Sequence, residues 1–391
     1  MTELEGKIRV GFFSQDGSWL GGRTYLMNLF QAIRSLPKSR VVPVLIKGEA
    51  SPDPGSDFAG VTVVSTPLLD RMSPLWIGER IISMASGREW LLERLLIKQG
   101  IEVLSHSGYL GKNSSVAAIS WIPDFQFLHL PEFFSKNEIK SRRTRYAAMC
   151  EKSDRVFVSS ESVRKDLCGF QPQYAAKAAI LRFVASVIPE SQSSSISNLR
   201  QRYRIPDRYF LLPNQFWAHK NHRVVIAALK LLKQAGTSIP VYATGRTEDP
   251  RNPSFFSSLM DYAGQCDVKD LFRVLGVVPF ADLAGLMRNS VALMNPSKFE
   301  GWSTSVEESK SLGKAIILSD IDVHLEQAPR LGTYFSPTDA ESLAKAMLSV
   351  WQRYDSIVDL ENQRRAGHEY PARQLEFARA FEEIVLSTRY A

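Results

Sequence analysis

Short β-rich apolar runs alternate with segments of helical periodicity along nearly the whole chain. In the first half, strand-like runs occupy residues 7–14, 41–48, 61–66, 101–107, 116–122 and 155–160. Apolar residues recur at helical spacing after the first run, and residues 88–100 form an amphipathic helical pattern that ends on a glycine. This alternation predicts an α/β fold with parallel sheets covered by helices on both faces.

The alternation breaks once, in a serine-rich stretch flanked by prolines. Residues 189–208 lack a sustained apolar period, although their middle could form a short helix. The sequence therefore predicts an N-terminal Rossmann-like domain over 1–188, a linker over 189–208 and a C-terminal Rossmann-like domain over 209–370. Residues 371–391 predict an amphipathic helix that packs back toward the N-terminal domain. We expect the two domains to face each other across a ligand-binding cleft.

The composition is that of a globular protein in a reducing compartment. Of 391 residues, 44% are hydrophobic and 23% charged, and the formal net charge is +7. This mild charge favours anionic ligands or an anionic membrane surface but does not indicate a nucleic-acid binder. Cys150, Cys168 and Cys266 show neither zinc nor disulfide spacing. Because the N-terminus does not resemble a signal peptide and no apolar run could span a membrane, we expect a cytoplasmic protein that could act at the inner face of the plasma membrane.

The first strand-to-helix junction is closed by Gly21 and Gly22. Glycines let a backbone approach a ligand closely, and the free N–H groups of a helix start favour a phosphate. The junction matches neither GxGxxG nor a Walker loop, so a plain tight turn is an equal alternative.

The second junction, "PNQFWAHKNH", places Lys220 and Asn221 before a helix. Asn221 is the predicted N-cap, and Lys220 would add positive charge to a helix end already suited to phosphate oxygens. A solvated lysine beside an ordinary cap is the alternative. His219 and His222 lack nearby carboxylates, so we expect no metal site there.

The third junction, "NPSKFEGWSTSVEESKSLGKAIILSD", carries three glutamates. Thr304 is the predicted N-cap, with Glu307 at the capping-box position, which leaves Glu308 in the first helical turn unexplained. The macrodipole alone could favour Glu308 there, whereas Glu300 is expected in the loop. A carboxylate accepts two hydroxyls at once, so the pair Glu300 and Glu308 suits a polyol ligand such as a ribose joined to a hexose.

Motifs for nucleophilic or metal catalysis are missing from the sequence. It contains no GxSxG, no HExxH and no Cys/His pair arranged for nucleophilic attack. Asp320-Ile-Asp322 has the form of DxD, which can bind a metal–diphosphate pair. Because it directly follows an apolar strand, aspartates that cap or form a turn are the favoured explanation.

Taken together, the three junctions make the chain resemble the retaining glycosyltransferases of family four, or glycosyltransferase group one, which have the GT-B fold. The core of the resemblance is "PSKFEGWSTSVEESKSLGKAIILSD", which is similar to the family's E-x7-E signature with Glu300 and Glu308 as its glutamates. The Gly21–Gly22 loop, "WIPDFQFLHLPEFF", "HKNHRVVIAAL" and "LGVVPFADLAGLMRNSVAL" follow in the family's order and spacing. The resemblance covers nearly the whole chain.

The resemblance implies a role for each site residue. Glu308 would accept ribose hydroxyls, Glu300 would hold the donor sugar, and Lys220 would contact the diphosphate. Asp124 would serve the acceptor, with a loop cap as an equal alternative. The implied catalytic residues are thus Glu300, Lys220 and Asp124. The implied substrate-binding residues, including backbone N–H groups at 301–303 near the sugar, are Gly21, Gly22, Asn214, Gln215, Lys220, Asn221, Gly245, Arg246, Gly301, Trp302, Ser303, Thr304 and Glu308.

The implied reaction moves a hexosyl unit from a GDP- or UDP-sugar to a hydroxyl of a glycan or lipid-linked acceptor, with retention, in polysaccharide or lipopolysaccharide biosynthesis. In such enzymes the leaving diphosphate accepts the acceptor's proton, so no protein nucleophile, metal or cofactor is expected. The apolar and basic stretch 68–99 could lean on a membrane as a peripheral contact, but a core-packing helix with a solvated basic face is the favoured interpretation.

One departure from the family's pattern concerns the charge near the diphosphate. Many relatives carry an arginine five residues before the lysine, where this chain has Gln215. Arg246 or Arg23 would have to replace that charge.

A second departure concerns a histidine near the sugar. Many relatives have a His-Asp pair where this chain has Pro123 and Asp124. His106 and His129 are candidates to take the histidine's place. These departures leave open a non-catalytic nucleotide-sugar sensor or scaffold, and a same-fold epimerase is a further alternative.

Overall fold

A computed structural model describes residues 6–14, 20–53, 55, 58–106, 108–111, 113–186 and 188–389. Contacts divide the chain into two compact units. The first unit comprises the chain up to residue 125, residues 136–183 and the chain from residue 372 onward. The second unit comprises residues 126–135 and 184–371. The sequence predicts a single linker over 189–208, whereas in the structure the chain passes from one unit to the other at four places, after residues 125, 135, 183 and 371.

The helices of both units vary widely in length. They are α1 (Leu20–Ser35), α2 (Pro74–Ser86), α3 (Trp90–Lys98), α4 (Gln126–His129), α5 (Lys136–Lys152), α6 (Glu161–Phe170), α7 (Ile196–Tyr203), α8 (His222–Gln234), α9 (Phe255–Gln265), α10 (Phe280–Asn289), α11 (Thr304–Leu312), α12 (Asp322–Gln327), α13 (Ala340–Arg353) and α14 (Ser356–Arg389). Helix α7 lies within the predicted linker. None of the helices in the described part of the chain has both the length and the apolarity to span a bilayer.

The first unit is built on a seven-stranded parallel sheet. Its strands are β1 (Ile8–Phe13), β2 (Val41–Lys47), β3 (Thr62–Ser65), β4 (Ile101–Ser105), β5 (Ala117–Ile122), β6 (Arg155–Val158) and β7 (Ala178–Ile180). The order β3-β2-β1-β4-β5-β6-β7 means that sheet growth reverses direction between β1 and β4. Val10 and Phe12 of β1 are fully buried, as expected for a central strand covered on both faces.

The second unit is built on a six-stranded parallel sheet. Its strands are β8 (Phe210–Pro213), β9 (Val241–Thr244), β10 (Phe272–Gly276), β11 (Ala292–Asn295), β12 (Ile316–Ser319) and β13 (Gly332–Phe335). The order β10-β9-β8-β11-β12-β13 reverses direction between β8 and β11. The predicted α/β class with two parallel-sheet domains is therefore confirmed.

Helix α14 contributes to both units. It begins at Ser356, whereas the predicted helix begins near residue 371, and it continues through Pro371. Its residues from 372 onward belong to the first unit. There the Phe381 ring lies 6.0 Å from the Phe12 ring, and the Phe377 ring lies 6.3 Å from the Tyr25 ring.

Candidate functional site

The predicted binding residues of the second unit follow the carboxyl ends of three neighbouring strands. Asn214 and Gln215 follow β8, Gly245 follows β9, and Glu300 lies in the loop after β11. Because all these strands are parallel, their carboxyl ends lie at one edge of the sheet. The reversal of sheet growth between β8 and β11 makes this edge a topological switch point, where open parallel sheets bind ligands.

Lys220 and Glu300 form an ion pair. Lys220 Nζ lies 2.6 Å from Glu300 Oε1, and the two side chains are 16% and 10% exposed. Lys220 ends a short 3-10 turn after β8, so the pair joins the loops of adjacent strands. Burial opposes ionisation of Glu300, but the charges of Lys220, His219 and His324 and the hydrogen bond from Lys220 together outweigh it and lower the pKa to about 2. Glu300 is therefore a carboxylate at neutral pH.

Buried polar side chains hold the Glu300 loop. Ser297 Oγ lies 2.6 Å from Glu300 Oε1 and 2.6 Å from Asn295 Oδ1. The single hydroxyl proton can be donated to one of these oxygens at a time. Asn295 Nδ2 in turn donates to Ser303 Oγ at 2.6 Å. Asn295 and Ser297 thus fix Glu300, and the polar residues that end the apolar run "VALMN" are the sequence signal that could have identified them.

The start of α11 differs from the prediction by one residue. Ser303 is the N-cap, and its Oγ accepts a hydrogen bond from Val306 N–H. The prediction of Thr304 as the cap is wrong because the chain becomes helical at Thr304 itself, which is exposed. Gly301 and Trp302 are buried immediately before the cap.

Glu307 is not the capping-box residue. Its Oε1 accepts from Lys310 Nζ and from Gln327 Nε2, each at 3.1 Å. Gln327 also bonds the Ser303 backbone, accepting from its N–H at 3.1 Å and donating to its carbonyl at 3.0 Å. The Ser303 N–H therefore already donates to Gln327. The sequence analysis instead expects this N–H to be available to the donor sugar.

Glu308 has a carboxyl group without a partner among the described residues. It lies in the second turn of α11, not in the predicted first turn, and is partly exposed. No described residue forms a hydrogen bond or ion pair with its side chain. Burial without compensation raises the pKa of Glu308 to about 8, so the carboxyl is mostly protonated at neutral pH. Such a group can both donate to and accept from ligand hydroxyls.

Asn221 occupies the N-cap position of α8, and its side chain connects three loops. It adopts the left-handed conformation, with φ of 58°, and its side chain makes no cap hydrogen bond. Its Nδ2 donates to Pro296 O at 3.0 Å and to Pro337 O at 2.8 Å. The predicted N-cap position is therefore confirmed, but the side chain turns toward the loops after β11 and β13 and does not bond the helix start.

The loops after β8 and β9 are in close contact. Gln215 Oε1 accepts from Arg246 N–H at 2.9 Å. Gly245 has φ of +134°, and a Cβ there would lie 2.5 Å from Asn214 O, so only glycine permits this approach. Among the described residues, the exposed Arg246 guanidinium has no hydrogen-bond or ionic partner. Arg23, the other candidate, lies over the Phe58 ring in the first unit.

The remaining predicted residues belong to the first unit. Gly21 and Gly22 lie in the first turn of α1 and not in a preceding loop, while residues 15–19 of the predicted loop lie outside the described residues. Asp124 follows β5 and is partly buried. Burial and the charge of Asp124 both raise the pKa of Tyr146.

The two histidines considered near the sugar have different environments. His106 is a core residue whose Nε2 lies 2.8 Å from the Tyr25 hydroxyl, and burial lowers its pKa to about 3. His129 is exposed at the end of α4, and its ring lies 5.1 Å from the ring of Phe299, next to Glu300. Of the two, His129 adjoins the Glu300 loop.

Three buried histidines surround the ion pair's loops. Burial lowers the pKa of His219 and of His222 to about 3, and His222 stacks on Phe216. His324, to which no sequence pattern pointed, bonds the Ser319 carbonyl through Nδ1 at 2.9 Å. Within the described ranges, no cluster of three or more histidine, cysteine, aspartate or glutamate residues could hold a metal ion.

Comparison with known proteins identifies one family model and one relative. Residues 195–366 match the family model described as "Glycosyl transferases group 1". The O-antigen chain mannosyltransferase RfbU of Salmonella typhimurium is 29% identical over 156 residues, which cover 40% of this chain and 42% of that protein. The chain therefore matches about two-fifths of the length of this relative.

Solved structures share the fold over nearly the full length. A glycosyltransferase from Rickettsia africae ESF-5 has a TM-score of 0.65 at 13% identity, covering 98% of both chains. HepE from Anabaena, solved with UDP-glucose, has a TM-score of 0.69 at 12% identity, covering 97% of this chain and 100% of that chain. WaaG, a glycosyltransferase involved in lipopolysaccharide biosynthesis, has a TM-score of 0.60 at 14% identity, covering 96% and 99%. At these identities the similarity establishes the GT-B fold.

Proposed function

We propose that this chain transfers a hexosyl unit from a nucleoside diphosphate sugar to an acceptor hydroxyl, with retention of anomeric configuration; the match of residues 195–366 to the model of the group 1 glycosyltransferases supports this. The observation that carries the proposal is the Lys220–Glu300 pair at the switch point. In the next helix it is followed by Glu308, which has no partner in the part of the chain that the structure describes. We propose a GDP- or UDP-sugar as the donor and a glycan or lipid-linked acceptor in lipopolysaccharide or polysaccharide assembly. The UDP-glucose in the HepE structure supports a nucleotide-sugar donor, and the O-antigen and lipopolysaccharide roles in the names of RfbU and WaaG support such an acceptor.

The donor would be held by two kinds of side chain: those without a partner among the described residues, and those whose present partner the donor could replace. The protonated carboxyl of Glu308 would exchange hydrogen bonds with the ribose hydroxyls. Lys220 would bind the diphosphate. The guanidinium of Arg246, which has no partner within the described ranges, would supply the charge that Gln215 does not. Glu300, kept ionised by Lys220, would accept hydrogen bonds from hydroxyls of the donor sugar. His129, next to Phe299, is the proposed histidine on the sugar side.

The reaction would need no protein nucleophile. The bond between the anomeric carbon and the diphosphate oxygen breaks, and a bond to the acceptor oxygen forms on the same face. The acceptor proton passes to the departing phosphate oxygen. Positive charge at Lys220 and Arg246 stabilises the negative charge that grows on the leaving group, so we infer that neither a metal ion nor a cofactor is required.

Nucleotide release in the presence of acceptor tests the proposal. The protein is incubated with UDP-, GDP- and ADP-sugars and cell-derived acceptors, after free nucleotides have been screened by thermal shift. We expect acceptor-dependent release that falls at least about a hundredfold in Lys220→Ala and Glu308→Ala. Lys233→Ala, which removes a surface lysine paired with Asp267, is the matched control and should retain activity.

Two results would contradict the proposal. Turnover that is unchanged in both site variants would exclude these residues from the reaction. If the protein binds nucleotide but releases none from any nucleotide-sugar, whatever the acceptor, the result would favour the non-catalytic sensor. Gln215, at the position where many relatives carry an arginine, is the reason to test this alternative.

A further inference from the structure

Helix α2 turns its apolar side chains outward and its one buried residue is a glutamate. Glu79 is 6% exposed, whereas Ile81 is 63% and Met84 87% exposed. A surface helix of a water-soluble domain normally has the opposite arrangement. The interpretation of this stretch as a core-packing helix, favoured from the sequence, is therefore wrong for α2.

The orientation of α2 is fixed by the carboxylate of Glu79. Its two oxygens accept from the backbone N–H groups of Leu91 and Leu92 at 3.1 and 3.3 Å, in the first turn of α3. These N–H groups have no partner within their own helix, so Glu79 caps α3 from outside. Ile77 and Ile81 are four residues apart and Met84 is three further, so they share one face of α2, away from Glu79.

Exposed apolar side chains concentrate around this helix. Fourteen large apolar side chains are exposed in the described residues, and eight of them lie between positions 63 and 97. These eight are Val63, Met72, Leu75, Ile77, Ile81, Met84, Trp90 and Ile97. A concentration of this kind marks an interaction surface, whereas scattered single residues do not. We call residues 71–98 the α2–α3 surface.

The acidic groups of the α2–α3 surface are all engaged. Glu79 caps α3, and Glu93 is paired with Arg88 at 2.6 Å in a nearly buried position. Glu89 lies 3.6 Å from Arg80. No acidic side chain within residues 71–98 is therefore left to repel an anionic partner.

The basic groups of this surface are in excess. Arg71, Arg94 and Lys98 are exposed and have no ionic partner among the described residues. On α3, Trp90, Arg94 and Lys98 recur every four residues and so lie along one side of the helix. The Trp90 ring, 45% exposed, packs under the Arg88 guanidinium at 4.3 Å. Tryptophan and arginine together are typical of the boundary between water and lipid.

We propose that the α2–α3 surface docks on an anionic lipid bilayer. The apolar side chains of α2 enter the boundary between headgroups and acyl chains, and Arg71, Arg94 and Lys98 meet the anionic headgroups. A second copy of this chain fits less well, because a symmetric contact would place the same unpaired cations opposite each other.

Vesicle co-sedimentation tests the docking. Wild-type protein is expected to bind vesicles that contain phosphatidylglycerol, to bind phosphatidylcholine vesicles weakly, and to be released by high salt. The double variant Ile81→Ser/Met84→Ser should lose at least about tenfold in binding. The affinity of Arg94→Gln/Lys98→Gln for these vesicles should fall about fivefold for each charge removed. The control Ile357→Ser/Val358→Ser changes two exposed apolar residues of α14 and should bind as wild type does.

Other outcomes would overturn the proposal. These are failure of the wild-type protein to bind, equal binding by Ile81→Ser/Met84→Ser, or equal loss in the α14 control. Self-association that Ile81→Ser/Met84→Ser abolishes, seen by sedimentation velocity without vesicle binding, would assign the surface to a second copy. Unchanged thermal unfolding of the variants establishes that they fold, and unchanged nucleotide release with a soluble acceptor separates this test from that of the proposed activity.

Discussion

Lys220 Nζ lies 2.6 Å from Glu300 Oε1, so two predicted ligand-binding groups of opposite charge neutralise each other. Each is more than four-fifths buried. A diphosphate that binds Lys220 must share that ammonium group with Glu300 or displace it. We therefore expect donor binding to be coupled to the position of the Glu300 carboxylate.

Removal of the ammonium group should destabilise the protein as well as inactivate it. Lys220→Met leaves the Glu300 carboxylate buried without its counter-charge, and we expect a loss of about 2–4 kcal/mol in the free energy of unfolding. Addition of Glu300→Gln to the same chain should restore most of that loss, since no charge then remains unpaired. Urea denaturation near neutral pH measures both. A single variant as stable as wild type would contradict the ion pair.

The raised pKa of Glu308 predicts a pH dependence of stability. Between its usual value of 4.5 and about 8, the folded state keeps a proton that the unfolded state has lost, so stability falls as pH rises. Glu308→Gln removes this titration. Allowing for partial exposure, we expect wild type to lose about 1–3 kcal/mol relative to the variant between about pH 5 and about pH 8.5. Parallel stability curves for the two proteins would show that the carboxyl is not perturbed.

The close approach of the β8 and β9 loops predicts an unequal response of two glycines. Gly245→Ala places a Cβ 2.5 Å from Asn214 O and should cost about 2–4 kcal/mol, together with nucleotide affinity, because the loops must separate. Gly236→Ala is the control, since Gly236 also has positive φ but a Cβ added there would meet no atom within 4 Å. It should cost about 1 kcal/mol and leave affinity unchanged. Equal effects at the two positions would rule out the steric cause.

The packing of α14 into the first unit predicts a unit-specific loss of stability. Phe381→Ala leaves a cavity beside Phe12 and should destabilise the first unit by about 3–5 kcal/mol. Ile357→Ala changes an exposed residue in the part of the same helix that belongs to the second unit, and should have little effect. Calorimetry with and without nucleotide separates the two units, because only the nucleotide-binding unit should be stabilised by ligand. Loss of nucleotide stabilisation in Phe381→Ala would contradict this division.

The fold was largely predictable because its central strands are buried on both faces and read as continuous apolar runs. The strands that gave no signal are β7 and β13, which lie at sheet edges, are three and four residues long, and have mostly half-buried side chains. The resemblance to group one glycosyltransferases rested on the ordered motifs and is confirmed by the match over residues 195–366.

The candidate site residues could be predicted only where their separation along the chain identifies them. Glu300 and Glu308 stand out by their separation along the chain, but Ser303 and Thr304 are adjacent hydroxyl residues with equal capping chemistry. Only the backbone decides between them. Gln327 lies 24 residues from Ser303 in sequence, and its contacts depend on the tertiary fold. No local pattern reveals such a partner.

The return of α14 to the first unit has a consequence for how the protein is made. Residues 372–389 leave the ribosome after every residue of the second unit, yet they supply Phe377 and Phe381 to the first unit's core. The second unit can therefore complete its packing during translation, whereas the first, although synthesised earlier, must wait with an open apolar groove. Nascent chains stalled before residue 372 should expose that groove to chaperones.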